Sequence, residues 1–279
     1  MTCAAWFRAG VMLCLALGCE RNVVVGREDS VMLAGAGNGT AGDASEGGAA
    51  GGGGDRGAGE GGSAAEPSGG PVPWSADHET GFDSWLSDGF GRRSVEGNGE
   101  LALTTELAHS GNQAIAATIA ADDGDLHQAM MGREVILRDG RYGAWYFLPQ
   151  APTDATWVIM KLSNGPTTDR FDIDLEVSDD GKPRLRLYEH PVGWISAPAA
   201  VAFPVGRWVH LAALYRSTPE NDGRLIVLQD DEQVFDTGSR PTANDARVAF
   251  FCGSTSRYLR PAPLTLFIDD ASIQNTQLP

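Results

Sequence analysis

"RFDIDLEVSDDGKPRLRLY", residues 170–188, alternates apolar and polar side chains on both sides of Asp179-Asp180-Gly181. Period two marks a strand with one buried face. Asp-Asp-Gly fits a three-residue hairpin loop, a type I turn closed by glycine in the left-handed region. That loop sets Ser178 opposite Lys182, so Glu176 opposes Arg184, Asp174 opposes Arg186 and Asp172 opposes Tyr188. In the same register Phe171, Ile173, Leu175, Val177, Leu185 and Leu187 all take the other face. The two halves agree, which predicts an antiparallel hairpin with one apolar and one charged face. Cross-strand pairs contribute roughly 0.2–1 kcal/mol each. As a ladder they account for Asp172, Asp174 and Glu176 without any chemistry.

Working outward, no apolar pattern after Trp74 keeps a 3.6-residue period for three turns, whereas short or alternating apolar runs recur between Gly, Pro, Asn and Asp clusters. Strands are expected at 81–85, 100–107, 113–119, 127–137, 143–148, 156–162, 171–177, 184–188, 207–215, 224–229, 233–236, 247–252 and 264–273. So many strands in one domain predict an all-β fold, a two-sheet antiparallel β-sandwich.

The N-terminal part is of another kind. Residues 1–18 carry one early charge, Arg8, and an apolar core too short to span a bilayer, the build of a secretory signal. Leu15-Ala16-Leu17-Gly18-Cys19 resembles the bacterial lipobox, which implies acylation of Cys19 and two-chain membrane anchoring. Glu20 differs from the Asp that resembles an inner-membrane retention signal, so the expected place is the outer membrane or cell surface. Residues 19–72 read as a tether: there are 16 Gly between Gly35 and Gly70, and no aromatic between Phe7 and Trp74. A flexible chain of about 50 residues spans roughly 40 Å.

Residues 73–279 are then the folded domain, and 74–279 hold six of the seven tryptophans. Those 206 residues carry 29 acidic against 17 basic side chains, a net of −12, which disfavours nucleic acid and leaves the lipid anchor as the membrane contact. Once Cys3, Cys14 and Cys19 are set aside, only Cys252 remains, and its apolar surroundings predict a buried thiol. The domain contains no His-Glu-x-x-His, Cys-x-x-Cys, Gly-x-Ser-x-Gly or phosphate-loop motif.

"GRWVHLAALYR", the Asn-Asp-Gly turn, "RLIVLQDDEQVFD" and "LTLFIDDASI" resemble the concanavalin A-like jelly roll of laminin-G-like domains and small polysaccharide lyases. The upstream "YGAWYFLPQAPTDATWVIMKL" is similar to the paired central strands of the lyase-like members. The resemblance implies that the first and last strands pair. It also implies that Glu79 with Asp269 and Asp270 could hold a structural calcium, an ion that takes hard oxygen ligands.

Three uses of the domain follow. Tyr146, Trp157, Lys161, Asp174, Arg186, Tyr188 and Trp194 are candidates for a polar-aromatic strip that binds a glycan or another surface component. A uronate lyase needs a base and a group to neutralise the carboxylate. His190 beside Tyr188 and Arg186, or His210, are the candidates, while the strand "WVIMKL" offers Lys161 where the resemblance implies His or Gln. "DIDLE" resembles the strand of laminarinase-type retaining hydrolases, which gives Asp172 the nucleophile's place, Asp174 the supporting one and Glu176 the acid/base. A facing Arg stabilises an ionised carboxylate, whereas a general acid must hold its proton. The expected protein is thus a monomeric, lipid-anchored envelope component whose sandwich binds a carbohydrate without catalysis. A polysaccharide-degrading enzyme and a purely structural surface module are the alternatives.

Overall fold

The computed structural model describes residues 69–121, 123–164, 169–243 and 246–278. The expected signal peptide, Cys19 and most of the 19–72 tether lie outside the described residues. The chain forms Trp74–Ala76 (β1), Asp83–Leu86 (α1), Gly91–Glu96 (β2), Gly99–Thr104 (β3), Ala114–Ile119 (β4), His127–Ile136 (β5), Asp139–Phe147 (β6), Asp154–Ser163 (β7) and Asp169–Val177 (β8). Then come Pro183–Glu189 (β9), Gly193–Trp194 (β10), Trp208–Arg216 (β11), Arg224–Gln229 (β12), Glu232–Asp236 (β13), Arg247–Arg260 (β14) and Leu264–Asn275 (β15).

Two antiparallel sheets stack as a sandwich. One has seven strands in the order β10-β9-β8-β7-β14-β5-β2; the other has eight, β13-β12-β11-β6-β15-β4-β3, with β1 on β15. The first strand does pair with the last, Trp74 against Ile273. Period-two alternation sends one face of every strand inward. Phe171, Ile173, Leu175 and Leu187 from the hairpin meet Tyr142, Tyr146, Leu211 and Ile268 from the other sheet in one apolar core. Cys252 is buried there, and burial pushes its thiol pKa well up.

The hairpin that opened the sequence has the expected register: Glu176 faces Arg184, Asp174 faces Arg186 and Asp172 faces Tyr188. Gly181 takes φ +74° and its N–H donates to Ser178 O at 2.8 Å, closing the loop.

The expected strand at 81–85 is instead the one-turn α1, which drives Trp85 to full burial beside Trp74, ring centroids 4.6 Å apart. The turn packs so closely on β2 that a Cβ on Gly91 would sit 1.7 Å from Trp85 O. Edge strand β2, whose sequence is too polar to announce a strand, covers the end of the seven-stranded sheet.

Candidate functional site

The seven-stranded sheet has an outer face as well as a core face, and the charged half of the hairpin lies on it. Read through the strand pairings, one transverse row runs Arg92, Gly132, Phe251, Lys161, Asp172, Tyr188, Trp194, with one residue from each strand. Val158, Asp174 and Arg186 make the next row beside it.

Asp172 anchors the polar part. It is only 1% exposed, and His190 Nε2 lies 2.9 Å from its Oδ2 while Lys161 Nζ lies 3.9 Å from its Oδ1. Tyr188 stands edge-on to both neighbours, 4.7 Å from the His190 ring and 5.1 Å from Trp194. Trp194 is 40% exposed at the sheet edge. Arg186 donates to Glu176 Oε2 at 2.7 Å and to Ser196 O, and its guanidinium lies 4.2 Å over the Trp194 ring.

Arg184 does not serve Glu176, which it faces. It reaches Asp180 at 2.8 Å, Ser178 Oγ, and the carbonyls of Ala199 and Ala200. Hydrogen bonds from Arg184 and Ser178 hold the Asp180 pKa down to about 2. The two arginines of β9 therefore fasten the 195–203 segment along the edge of the sheet, where Ile195, Ala199 and Phe203 also donate to β9 carbonyls.

Lys161, Asp172, Asp174, Glu176, Arg186, Tyr188, His190 and Trp194 thus share one face, as the sequence leads one to expect. Three other candidates do not join them. Trp157 is fully buried in the core, its Nε1 donating to Ser254 Oγ. Counting in twos from Lys161 puts it outward, but a bulge between Val158 and Met160 shifts the phase by one residue and turns it in. Tyr146 is also fully buried, and burial raises its pKa far above the ordinary value. It belongs to β6 in the other sheet, from which Trp145 and Phe147 point outward.

His210 also lies on the outside of the eight-stranded sheet, its ring 5.1 Å from Trp145, on which His109 stacks at 3.9 Å. Burial and the charge of Arg141 lower the His210 pKa, against the opposing pull of Asp231 and Asp230. This aromatic cluster was legible only as the alternation of Trp145 and Phe147 with Tyr146.

The three candidate calcium ligands come close in space, but N–H groups and a hydroxyl occupy their oxygens. Asp269, wholly buried, meets His78 Nδ1 at 3.0 Å and accepts from the backbone N–H groups of His109, Ser110 and Asp270. Burial alone would raise its pKa; these hydrogen bonds outweigh that and hold it below the ordinary carboxylate value. Asp270 takes His109 Nδ1 and Ser110 Oγ, and Glu79 accepts from Asn112 and Gln113, whose backbone N–H groups lower its pKa. The group is a clamp on the 109–113 loop. The Asp pair marks a bulge in β15, with Asp270 at φ +46°. Among the described residues no cluster of three or more His, Cys, Asp or Glu is arranged to hold a metal.

No family model matches the chain, and no curated protein matches its sequence. Solved structures do match in shape. An endo-β-1,4-glucuronan lyase from the fungus Trichoderma reesei superposes with TM-score 0.52 at 14% identity, over 69% of this chain and 93% of that one. The cellulose induced protein Cip1 gives 0.51 at 14%, covering 73% and 98%. An alginate lyase from the marine Aplysia kurodai gives 0.50 at 13%, also covering 73% and 98%. The chain shares their fold. That fold is a two-sheet antiparallel β-sandwich, consistent with the expected concanavalin A-like architecture, and at these identities the likeness extends to the fold alone.

Such a face can do two things chemically. Planar carboxylates and guanidinium groups beside exposed rings suit hydrogen bonding to hydroxyls and stacking on a sugar. A histidine that donates Nε2–H to a buried carboxylate keeps Nδ1 as its basic nitrogen.

Proposed function

We propose that the outer face of the seven-stranded sheet binds a polysaccharide, with Tyr188 and Trp194 supplying rings and Lys161, Glu176 and Arg186 supplying hydrogen bonds, while Asp174, 2% exposed, lies covered beneath them. The observation that carries this reading is the transverse pairing that sets Lys161, Asp172, Tyr188 and Trp194 side by side across four strands, with Trp194 40% exposed at the end. Lys161 lies beside Asp172 and Arg186 pairs with Glu176, which supports a ligand of low charge over a polyanion. Shape neighbours that act on polysaccharides add support at the level of the fold. In the same reading the signal-like N terminus delivers the protein to the bacterial envelope, where acylated Cys19 and the Gly-rich tether display the domain. Affinity electrophoresis of the intact protein through gels of neutral and acidic polysaccharides tests binding, and uniform migration through all of them rejects it. Labelling with a fatty-acid analogue that Cys19→Ser abolishes tests the anchor.

A second reading, uronate β-elimination, rests on the His190–Asp172 pair, 2.9 Å apart beside Tyr188. There His190 Nδ1, or the Tyr188 oxygen, takes the proton next to the uronate carboxylate, the freed electron pair forms the ring double bond as the glycosidic C–O bond breaks, and the departing oxygen takes a proton from the other of the two groups or from water. An unsaturated product that absorbs in the ultraviolet, lost in His190→Gln and Tyr188→Phe, distinguishes it from simple binding.

A further inference from the structure

The transverse row does not end at Lys161. Beyond Phe251, on the same outer face, Phe90, Gly91, Arg92, Gly132, Glu134 and Ala249 line a pit of about 240 Å³. Ala249 of β14 puts only a methyl group there, Gly132 of β5 leaves room for the Phe251 ring, and Gly91 of β2, whose Cβ would point at Trp85 O, lines the pit with backbone. Phe251 stands between the pit and Lys161 in the row. Its ring lies over Gly132, where a Cβ would approach it to 2.2 Å, and the Arg92 guanidinium covers it at 4.5 Å. Glu134 stands opposite, 3.5 Å from Arg247.

We propose that this pit is a second sugar subsite, so that the ligand is a polysaccharide segment crossing the strands from Trp194 to β2. The inference rests on the reading of this face as glycan-binding and extends it to the length and direction of the chain. Size agrees: pockets for drug-sized ligands run roughly 300–1,000 Å³, so this pit has room for about one ring. Chemistry agrees too, because Arg92 and Glu134 both line the pit, a guanidinium and a carboxylate for neighbouring hydroxyls, while the second guanidinium there, Arg133, is already held by Asp88. Five strand steps separate β5 from β10. At about 4.8 Å each this is roughly 24 Å along the sheet, too far for a disaccharide and within reach of a short oligomer. Two subsites joined through one chain bind far more tightly than either alone.

The test titrates the intact protein with neutral ladders of gluco-, xylo- and manno-oligosaccharides and with oligoglucuronates, from disaccharide to octasaccharide. The expected result is affinity for a neutral ladder that rises at least roughly tenfold once the chain is long enough to bridge both ends. Ala249→Leu, which fills the pit, and Glu134→Ala, which strips its wall, remove that gain and leave disaccharide affinity unchanged; Trp194→Ala lowers affinity at every length. Affinity that is already maximal at the disaccharide, or long-chain affinity that survives both pit variants, overturns the second subsite and leaves surface binding standing. Binding of oligoglucuronates alone overturns the neutral class, and failure of every ladder overturns the subsite together with the surface reading.

Discussion

Arg186 lies directly across from Asp174, yet its guanidinium donates at 2.7 Å to Glu176, one rung nearer the turn. The other polar side chains of this edge lean the same way. His190 reaches Asp172, and Arg184 reaches past Glu176 to Ser178 and Asp180. Diagonal neighbours on twisted strands lie within reach of long side chains. The displaced ladder leaves Arg184 for the carbonyls of the 199–200 segment and brings Arg186 over Trp194. Order at the edge of the face thus depends on which rung each arginine serves.

Arg186→Ala is therefore expected to weaken glycan binding more than Glu176→Gln does, because it removes the support of Trp194 as well as an ion pair. Both side chains of the pair are partly exposed, 25% and 32%, so its stability share is screened to below about 1 kcal/mol. Titration of both variants and a double-mutant cycle of melting curves check this; equal losses of affinity would disprove the positioning role.

Trp194→Ala should lower affinity with the melting temperature nearly unmoved, since 40% of that residue is already in solvent. Trp157→Ala should do the reverse to stability, costing about 3–5 kcal/mol for a fully buried ring. Thermal melts set beside affinity gels separate the two tryptophans.

The Asp269 clamp predicts acid lability. Its folded pKa is depressed, so its contribution is fully present above the unfolded value of about 3.9 and is lost as pH falls through the lower folded value. Glu79, also depressed, acts in the same direction and window. Melting temperature should fall below about pH 4, and less steeply in Asp269→Asn. That variant should itself cost about 1–3 kcal/mol at neutral pH by leaving a buried N–H donor without an acceptor. Because N–H groups and a hydroxyl fill these carboxylates, EDTA should leave the melting temperature where it is; a shift of several degrees would restore the calcium reading.

Cys252 is predicted to be silent to thiol reagents in the folded state, since burial both blocks access and raises its pKa. Labelling of Cys252 that tracks the denaturant-unfolding curve is the expected outcome, followed by peptide mapping to separate it from the other cysteines.

Much of this was legible in the chain. Alternation around Asp179-Asp180-Gly181 fixed the hairpin and its register, because a one-residue slip would put every apolar side chain of residues 171–177 into water. The same alternation marked most other strands, and with them the sandwich. Local pattern went astray where a non-local contact broke the phase. Trp157 turns inward at a bulge invisible in "WVIMKL", and residues 83–86 coil into a helical turn so that Trp85 can reach the core. Tyr146 and His210 proved to lie in the other sheet, since sheet membership is set by pairing between distant strands.

By itself, then, the sequence determined which side chains share a face of each strand, a consequence of the two-residue period of β structure. Only the tertiary structure decided which strands lie side by side. That order carries Arg92, Phe251, Lys161, Tyr188 and Trp194, spread over a hundred and sixty residues of chain, into one row across the sheet. Pairing of the strands follows from burying all their apolar faces at once, a condition on the whole domain that no single stretch contains.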